Sequence, residues 1–359
     1  MEKKLRVGII GCGGIAIGKH MPSLKLIEEV SMVAFCDILE ERAKTAVTEF
    51  GTVGAKAYVD YKEMLEKESL DVVHVLTPNN THSPITVAAL EADCHVMCEK
   101  PMAISTIEAK KMITAAEKTG KKLTIGYQNR FRQDSMYLKE VCERGDLGEV
   151  YFAKAHAIRR RAVPTWGVFL KEEEQGGGPL IDIGTHALDL TLWLMDNYEV
   201  DKVVGTTYHK MRYDTKTGNQ FGDWDPKEFT VEDSAFGFIT MKDGATIILE
   251  SSWALNTLEV GEAQTTLCGT KAGADMKDSL RINGSEFDKL YVKKPNFATG
   301  GVDFYKGVSS KPADVEAKQW IDCILNDTEP VVKPEQALKV TEILEAIYES
   351  AKTNKAIYL

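Results

Sequence analysis

At 359 residues the chain is too long for one ordinary hydrophobic core, and two domains are expected. Its 43% hydrophobic and 27% charged residues are those of a soluble globular protein rather than a disordered one. A net charge of −10 argues against nucleic acid as a partner, and the longest apolar run is far too short to span a bilayer.

The chain opens on MEKKLRVGIIGCGGIAIG, whose basic start and apolar run superficially resemble a signal peptide. The glycines make a poor helical run, and the segment reads better as a strand, Leu5–Ile10, followed by Gly11-x-Gly13-x-x-Ala16 at the opening of a helix. Gly11 allows a tight turn, Gly13 the close approach of a pyrophosphate, and Ala16 the close packing of helix on strand. The helix start at Gly14 and Ile15 then supplies amide donors and a positive dipole end to phosphates. A second strand, Met32–Cys36, leads into Asp37, 21 residues beyond Ala16, where a carboxylate binds a ribose 2′-hydroxyl. The plainer reading, a strand-end aspartate capping the next helix, leaves the glycines unexplained. A carboxylate at this place repels a 2′-phosphate, and Ile38 and Leu39 bring no cation, so NAD is favoured over NADP; Arg42 lies one turn further on.

Helical periods at Ile38–Phe50, Ser83–Ala92 and Thr106–Thr119 alternate with apolar runs at Val72–Leu76, His95–Cys98 and Leu123–Gly126. This alternation predicts an α/β domain over residues 1–126, a doubly wound parallel sheet with helices on both faces. VLTPNNTH and CEKPMA follow two of its strands, placing Thr77, Pro78, Asn79, His82, Glu99 and Lys100 at the carboxyl ends, where open α/β sheets bind ligands. Pro101 holds Lys100 extended, so this lysine projects from a stiff turn. A lysine in such a loop is ordinarily just solvated; at a dinucleotide crevice it becomes a candidate proton donor or oxyanion stabiliser.

From residue 127 to 359 the pattern changes to an α+β domain on a largely antiparallel sheet. After a helix at Gln133–Arg144, β-rich runs such as EVYFAKAHAIRR, KVVGTTYHKM, SAFGFITM and ATIILESSW are joined by turns, and helical period returns at Pro312–Leu325 and Pro334–Thr353. The 212–230 stretch, rich in Asp, Gly and Lys, reads as a long surface loop. Arg159, Arg160 and Arg161 read first as a solvated strand edge and second as a site for an anionic group. Tyr127, Arg161 and Trp166 are candidates for lining a substrate site, from their loop positions and, for Trp166, from aromatic stacking on a sugar or nicotinamide.

The seven cysteines are odd in number, irregularly spaced and without a C-x-x-C pair, which predicts buried thiols in a reducing cytoplasm. In GGGPLIDIGTHALDLTLWLMD, Asp182, His186 and Asp189 fall at i, i+4 and i+7, which places them on one face of an otherwise apolar helix. Burying such groups is costly unless they are paired or used. One reading makes Asp182 a first-turn acid and His186 a satisfied core histidine. The other makes both catalytic and leaves Asp189 to pair with an arginine. Asp182 and His186 supply two metal ligands and nothing obvious supplies the rest, so no metal is expected.

Taken together, Gly11-x-Gly13-x-x-Ala16, Thr77-Pro78 with His82, Glu99-Lys100-Pro101 and GGGPLIDIGTHALDL resemble the Gfo/Idh/MocA family of oxidoreductases along essentially the whole chain. The resemblance implies a Rossmann domain, a second domain whose open sheet forms an oligomer interface, and hence a homodimer or homotetramer. It also implies that Lys100, Asp182 and His186 match the family's catalytic lysine, aspartate and histidine, facing the nicotinamide crevice. On that basis His186 takes the hydroxyl proton of a secondary alcohol on a sugar, polyol or sugar derivative, Lys100 hydrogen-bonds the developing alkoxide, and Asp182 orients substrate or imidazole. Two other functions stay open at this point. One is a redox-assisted, NAD-retaining sugar lyase or glycosidase; the other is a non-catalytic sensor of dinucleotide or sugar.

Overall fold

The computed structural model describes residues 4–216, 218–297 and 311–359, and divides them into two compact units. The first three residues of the basic start, and Thr217 of the long loop, lie outside the described residues. The first unit comprises residues 4–128 and 311–338; the second comprises 129–297 and 339–359.

In the first unit, β1 (Leu5–Ile10), β2 (Val30–Cys36), β3 (Lys56–Tyr58), β4 (Val72–Val75), β5 (His95–Cys98) and β6 (Leu123–Ile125) form one sheet in the order β3-β2-β1-β4-β5-β6. Every neighbouring pair is parallel, and the strand order reverses between β1 and β4, which is the doubly wound arrangement with its switch point there. Crossover helices are α1 (Met21–Lys25), α2 (Glu40–Phe50), α3 (Tyr61–Lys67), α4 (His82–Glu91) and α5 (Thr106–Thr119). The sequence sets the ends of α5 locally. Ser105 Oγ accepts the Glu108 amide at the start, and Gly120 closes the helix in the left-handed region. Neither β3 nor α3 is visible as a periodic pattern: β3 has three residues, and α3 buries only Met64.

The second unit begins with α6 (Gln133–Glu143), β7 (Val150–Ile158) and the short α7 (Glu172–Gln175). A wide π-type turn, Leu180–Gly184, then runs directly into α8 (Thr185–Met195). β8 (Val200–Tyr208), β9 (Ser234–Met241), β10 (Thr246–Ser252), β11 (Gly261–Gly269), β12 (Ala272–Asp275), β13 (Arg281–Glu286) and β14 (Lys289–Lys293) follow. Next come α9 (Pro312–Leu325), α10 (Pro334–Thr353) and β15 (Ile357–Tyr358). The sheet order is β14-β13-β12-β11-β7-β10-β9-β8-β15, antiparallel except for the β7–β10 pair.

Register decides which face of this sheet is covered. Gly205, Gly237, Leu249, Ala155 and Thr265 form one row across five strands. Thr191 of α8 donates to Thr265 Oγ1 at 2.9 Å, and a Cβ at either glycine would meet Ile347 of α10, so the two helices cover this face. The adjacent row, Val204, Phe238, Ile248, Lys154 and Thr266, points the other way.

Residues 311–338 return to the first unit, which a single division at 126/127 does not foresee. The apolar side of α9, with Ala317, Trp320, Ile321 and Cys323, joins the core made by Val7, Ile9, Met21, Leu24 and Phe35. The 212–230 stretch is more than a surface loop. Trp224 and Phe229 are buried, Phe229 packs against Trp224 and Trp253, and Trp224 Nε1 donates to the Arg212 carbonyl. Its polar composition hides two aromatic anchors. No helix among the described residues is long and apolar enough to cross a membrane.

Candidate active site

In the first unit the candidate cofactor residues gather at the carboxyl ends of β1, β2, β4 and β5. Gly11 has φ +93°, and a Cβ there would sit 2.5 Å from the Leu76 carbonyl oxygen, so only glycine lets the turn pass beside the end of β4. Cβ atoms built on Gly13 and Gly14 would meet nothing within 4 Å, which leaves the backbone open above the helix start. Ala16 is fully buried against the sheet, and Ile15 is exposed.

Asp37 stands at the end of β2 and clamps the turn: Oδ2 accepts the Cys12 amide and Oδ1 the Leu39 amide, both at 2.9 Å. Each oxygen keeps a further lone pair for a hydroxyl donor. An open glycine turn at the switch point, helix-start amides and a carboxylate at the neighbouring strand end fit a dinucleotide. Gly11, Gly13, Gly14, Ile15 and Asp37 are the residues that would hold it.

The two loops beyond β4 and β5 are tied together by His82. Its ring nitrogens lie 2.9 Å from the Thr77 carbonyl oxygen and 2.8 Å from that of Pro101. Thr77 Oγ1 accepts from Thr81, while Pro78 is exposed and Asn79 half-buried. Lys100, half-buried, precedes Pro101 through a cis peptide bond. Glu99 turns inward rather than to the cleft edge: Oε1 lies 2.9 Å from Lys19 Nζ and 2.7 Å from His20 Nε2, and Oε2 accepts the Lys100 amide at 3.0 Å. Tyr127 is 1% exposed within the same unit.

In the second unit the GGGPLIDIG run is explained by what lies against it. A Cβ at Gly177 would collide with the Tyr348 hydroxyl, and one at Gly178 with the Glu232 carbonyl. Ser251 donates to the Pro179 carbonyl at 2.7 Å, seating the wide turn on β10. Asp182 and His186 are half-buried, whereas Asp189 is fully inside, so the polar stripe does not share one environment. Asp182 Oδ2 accepts Trp253 Nε1–H at 3.0 Å and lies 4.0 Å from Arg159 Nη1. The arginine expected to pair with Asp189 is Arg130, through two bonds of 3.0 and 2.6 Å.

Glu232 escapes sequence reasoning because its partners are distant in the chain. It accepts the Gly178 amide at 2.8 Å, the Leu180 amide at 3.1 Å and the Tyr348 hydroxyl at 2.9 Å, and so caps the helix that carries Asp182 and His186. Burial pushes its carboxyl up to about 7 against the pull of those donors. A folded-state value above the unfolded one means that the folded chain holds a proton which the unfolded chain releases. This contribution to stability is therefore full below about pH 4.5 and is lost as pH rises to about 7, by on the order of 3 kcal/mol. Glu232→Gln, which has no proton to lose, is expected to improve relative to the wild type across that window. Urea midpoints measured at pH 5 and pH 8 check this; a difference that does not move with pH contradicts it.

The arginine run lines a cavity of about 560 Å³ with Gln220, Phe221 and Glu262. Arg159 is neutralised by Glu262, through Nε–Oε1 at 2.6 Å and Nη2–Oε2 at 2.8 Å. Arg161 donates instead to the Asn256 side chain and the Arg160 carbonyl, and neither Arg160 nor Arg161 has a carboxylate partner among the described residues. Trp166, 51% exposed, stands edge-on to Phe221 with ring centroids 4.7 Å apart. All seven cysteines are free, with burial raising their thiols, and no group of three or more His, Cys, Asp or Glu among the described residues is placed to hold a metal ion.

Comparison with known proteins matches both units. Residues 5–127 fit the model of an oxidoreductase family with an NAD-binding Rossmann fold, and residues 139–359 fit that family's C-terminal alpha/beta domain. The chain is 36% identical over 355 residues to D-glucoside 3-dehydrogenase of Escherichia coli K12, covering 99% of this chain and 97% of that one. It is 31% identical over 199 residues to myo-inositol 2-dehydrogenase of Thermotoga maritima, covering 55% of this chain and 57% of that one. Among solved structures, aldose-aldose oxidoreductase from Caulobacter crescentus has a TM-score of 0.80 at 25% identity, covering 99% and 100% of the two chains. Levoglucosan dehydrogenase shares the fold with a TM-score of 0.82 at 20% identity, covering 99% of each. The glycine turn, the strand order and the matches through both halves of the sequence thus agree: the chain belongs to the Gfo/Idh/MocA family of NAD-binding oxidoreductases.

Proposed function

We propose that this oxidoreductase is an NAD-dependent dehydrogenase of a secondary alcohol on a sugar, with a D-glucoside as substrate class and its 3-hydroxyl as the reacting group. The observation that carries this reading is the likeness to D-glucoside 3-dehydrogenase, which runs over 99% of the chain and so includes the half bearing Asp182, His186 and the arginine-lined cavity. The chemistry NAD supplies when bound is acceptance of a hydride. His186 takes the hydroxyl proton as general base. Lys100, as ammonium, stabilises the negative charge that develops on the same oxygen. Asp182, held by Trp253, orients the substrate or the imidazole. Arg161 and Trp166 are assigned to the part of the sugar away from the reacting carbon, Arg161 by its place on the cavity wall and Trp166 by its edge-on contact with Phe221 of that wall.

The test is a panel of D-glucosides, free aldoses, polyols and sugar acids with NAD or NADP, followed at the nicotinamide absorbance. Stoichiometric NADH from a D-glucoside is expected, and its absence from the whole panel overturns the assignment. NAD is the preferred cofactor, on the strength of the Asp37 carboxylate at the end of β2. Asp37→Ser is expected to raise the KM for NAD by about tenfold or more and to narrow the preference over NADP; equal KM values for the wild type and the variant contradict it.

We also assign a homo-oligomer, a dimer or tetramer, built on the uncovered sheet face. Val204 and Phe238 are directly paired there and 45% and 49% exposed, with Tyr208 on the same face of β8 also exposed. Phe238→Asp is expected to give a monomer in light scattering while leaving the fold intact. The free thiols support a reducing, cytoplasmic setting.

A further inference from the structure

Five ionisable side chains are buried together in the first unit. Lys19 and His20 come from a second wide π-type turn, Ala16–His20, after the glycine loop, His74 from β4, Glu99 from the end of β5, and Glu316 from the returning helix α9. Lys19 Nζ lies 2.9 Å from Glu99 Oε1 and 2.9 Å from Glu316 Oε2. His20 reaches the same Glu99 oxygen with Nε2, and its Nδ1 lies 3.2 Å from His74 Nδ1. The second oxygen of Glu99 accepts the amide of Lys100.

One ammonium therefore faces two carboxyl groups, and they are not equivalent. Both oxygens of Glu99 have donors, whereas Glu316 Oε1 has no hydrogen-bond partner among the described residues. Out of water, one cation compensates one anion, so the charge settles on Glu99 and the proton on Glu316. The acidities run the same way. Against the burial that raises it, Lys19 and His20 hold Glu99 well below the usual carboxylate range; burial pushes Glu316 up to about 7, and Lys19 does not reverse it. Burial keeps both histidines below their ordinary range, hence neutral.

We propose that Lys19 and Glu316 are positioning residues for Lys100, acting through Glu99: the Lys19 ammonium keeps Glu99 ionised, and the Glu99 carboxylate fixes the amide from which the Lys100 side chain departs. A neutral Glu316 leaves Lys19 to Glu99; an ionised one competes for it. The groups facing Glu316 are Lys19 and Glu99, with His20 and His74 behind them. The proposal rests on the reading of Lys100 as a residue of the reaction. If the cluster served only to seat α9, its loss would lower stability and leave the pH profile in place.

Four variants separate these cases: Lys100→Met, Lys19→Met, Lys19→Arg and Glu316→Gln. Each is followed by kcat and KM for both substrates, a pH profile, a thermal midpoint and NAD affinity by calorimetry. Lys19→Met is expected to lower kcat about tenfold or more with NAD affinity changed less than about twofold, and Lys19→Arg to restore most of it. The wild type is expected to lose kcat as pH passes about 7 and Glu316 ionises; Glu316→Gln fixes the neutral state and is expected to lack that decline. Folded Lys19→Met and Glu316→Gln proteins with the wild-type kcat and profile overturn the proposal; if Lys19→Met does not fold, the Glu316→Gln profile alone decides. An inactive Lys100→Met beside those unchanged profiles removes the positioning role only. A fully active Lys100→Met removes the reading of Lys100, and this proposal with it.

Discussion

His186→Asn is expected to lower kcat on the true sugar substrate by about 10²- to 10⁴-fold, and Lys100→Met by about 10²- to 10³-fold. Asparagine keeps roughly the width of the imidazole and a hydrogen-bonding tip but cannot accept the hydroxyl proton at neutral pH. Methionine keeps the length of the lysine and removes the charge. Both side chains are half-buried, and neither belongs to the apolar cores, so thermal midpoints should move little. The two losses should differ in how they divide. His186 and the glycine turn belong to different units, so His186→Asn should leave NAD affinity unchanged. An interaction made only as charge develops is expected to depress kcat and kcat/KM equally. Steady-state kinetics at saturating NAD, with NAD affinity measured separately, check both statements. Normal turnover by either variant would show that its side chain moves no proton and stabilises no alkoxide.

What the sequence reveals of this site, and what it conceals, follows from the range of the interactions. β1, β5, α5, α9 and α10 are legible to their end residues because periodicity and caps are local. The Gly11–Asp37 relation is legible because a βαβ unit fixes its spacing. The run GGGPLIDIGTHALDL gives the helix but not the wide turn at Leu180–Gly184, since a π-type turn has no residue code of its own. Glu99 stands in a recognisable motif, yet its partner Lys19 is 80 residues away and Glu316 comes from a helix that returns to the first unit after all but the last strand of the second sheet. Glu232 is likewise 54 residues from the turn it caps. Long-range pairings of this kind leave no periodic trace, and Glu232 and Glu316 read in isolation as ordinary surface acids.

The largest stability effect is expected from Arg130→Met. Arg130 and Asp189 are 0% and 1% exposed and joined by two bonds, with the guanidinium also 5.6 Å from the Trp193 ring. Removing only the cation leaves a carboxyl that burial already raises, now without the arginine that held it down. Losses of about 3–5 kcal/mol are typical when one partner of such a pair is deleted. For a unit of this size that corresponds to a fall in thermal midpoint on the order of 10 °C. The pair itself need not be worth that much, because bringing both ions out of water offsets most of their attraction. Arg130→Met combined with Asp189→Leu should therefore recover much of the loss, as an apolar pair of similar volume. Asp189→Asn, which keeps shape and one acceptor, should fall between. Urea unfolding followed by tryptophan fluorescence checks the order, since Trp193 and Trp253 lie in the same unit. If the double variant is as unstable as Arg130→Met, the site needs the ions for a reason other than mutual compensation. If instead the single change costs nothing, Asp189 is already neutral in the folded chain, and the stripe that began at Asp182 carries less charge inward than its sequence suggests.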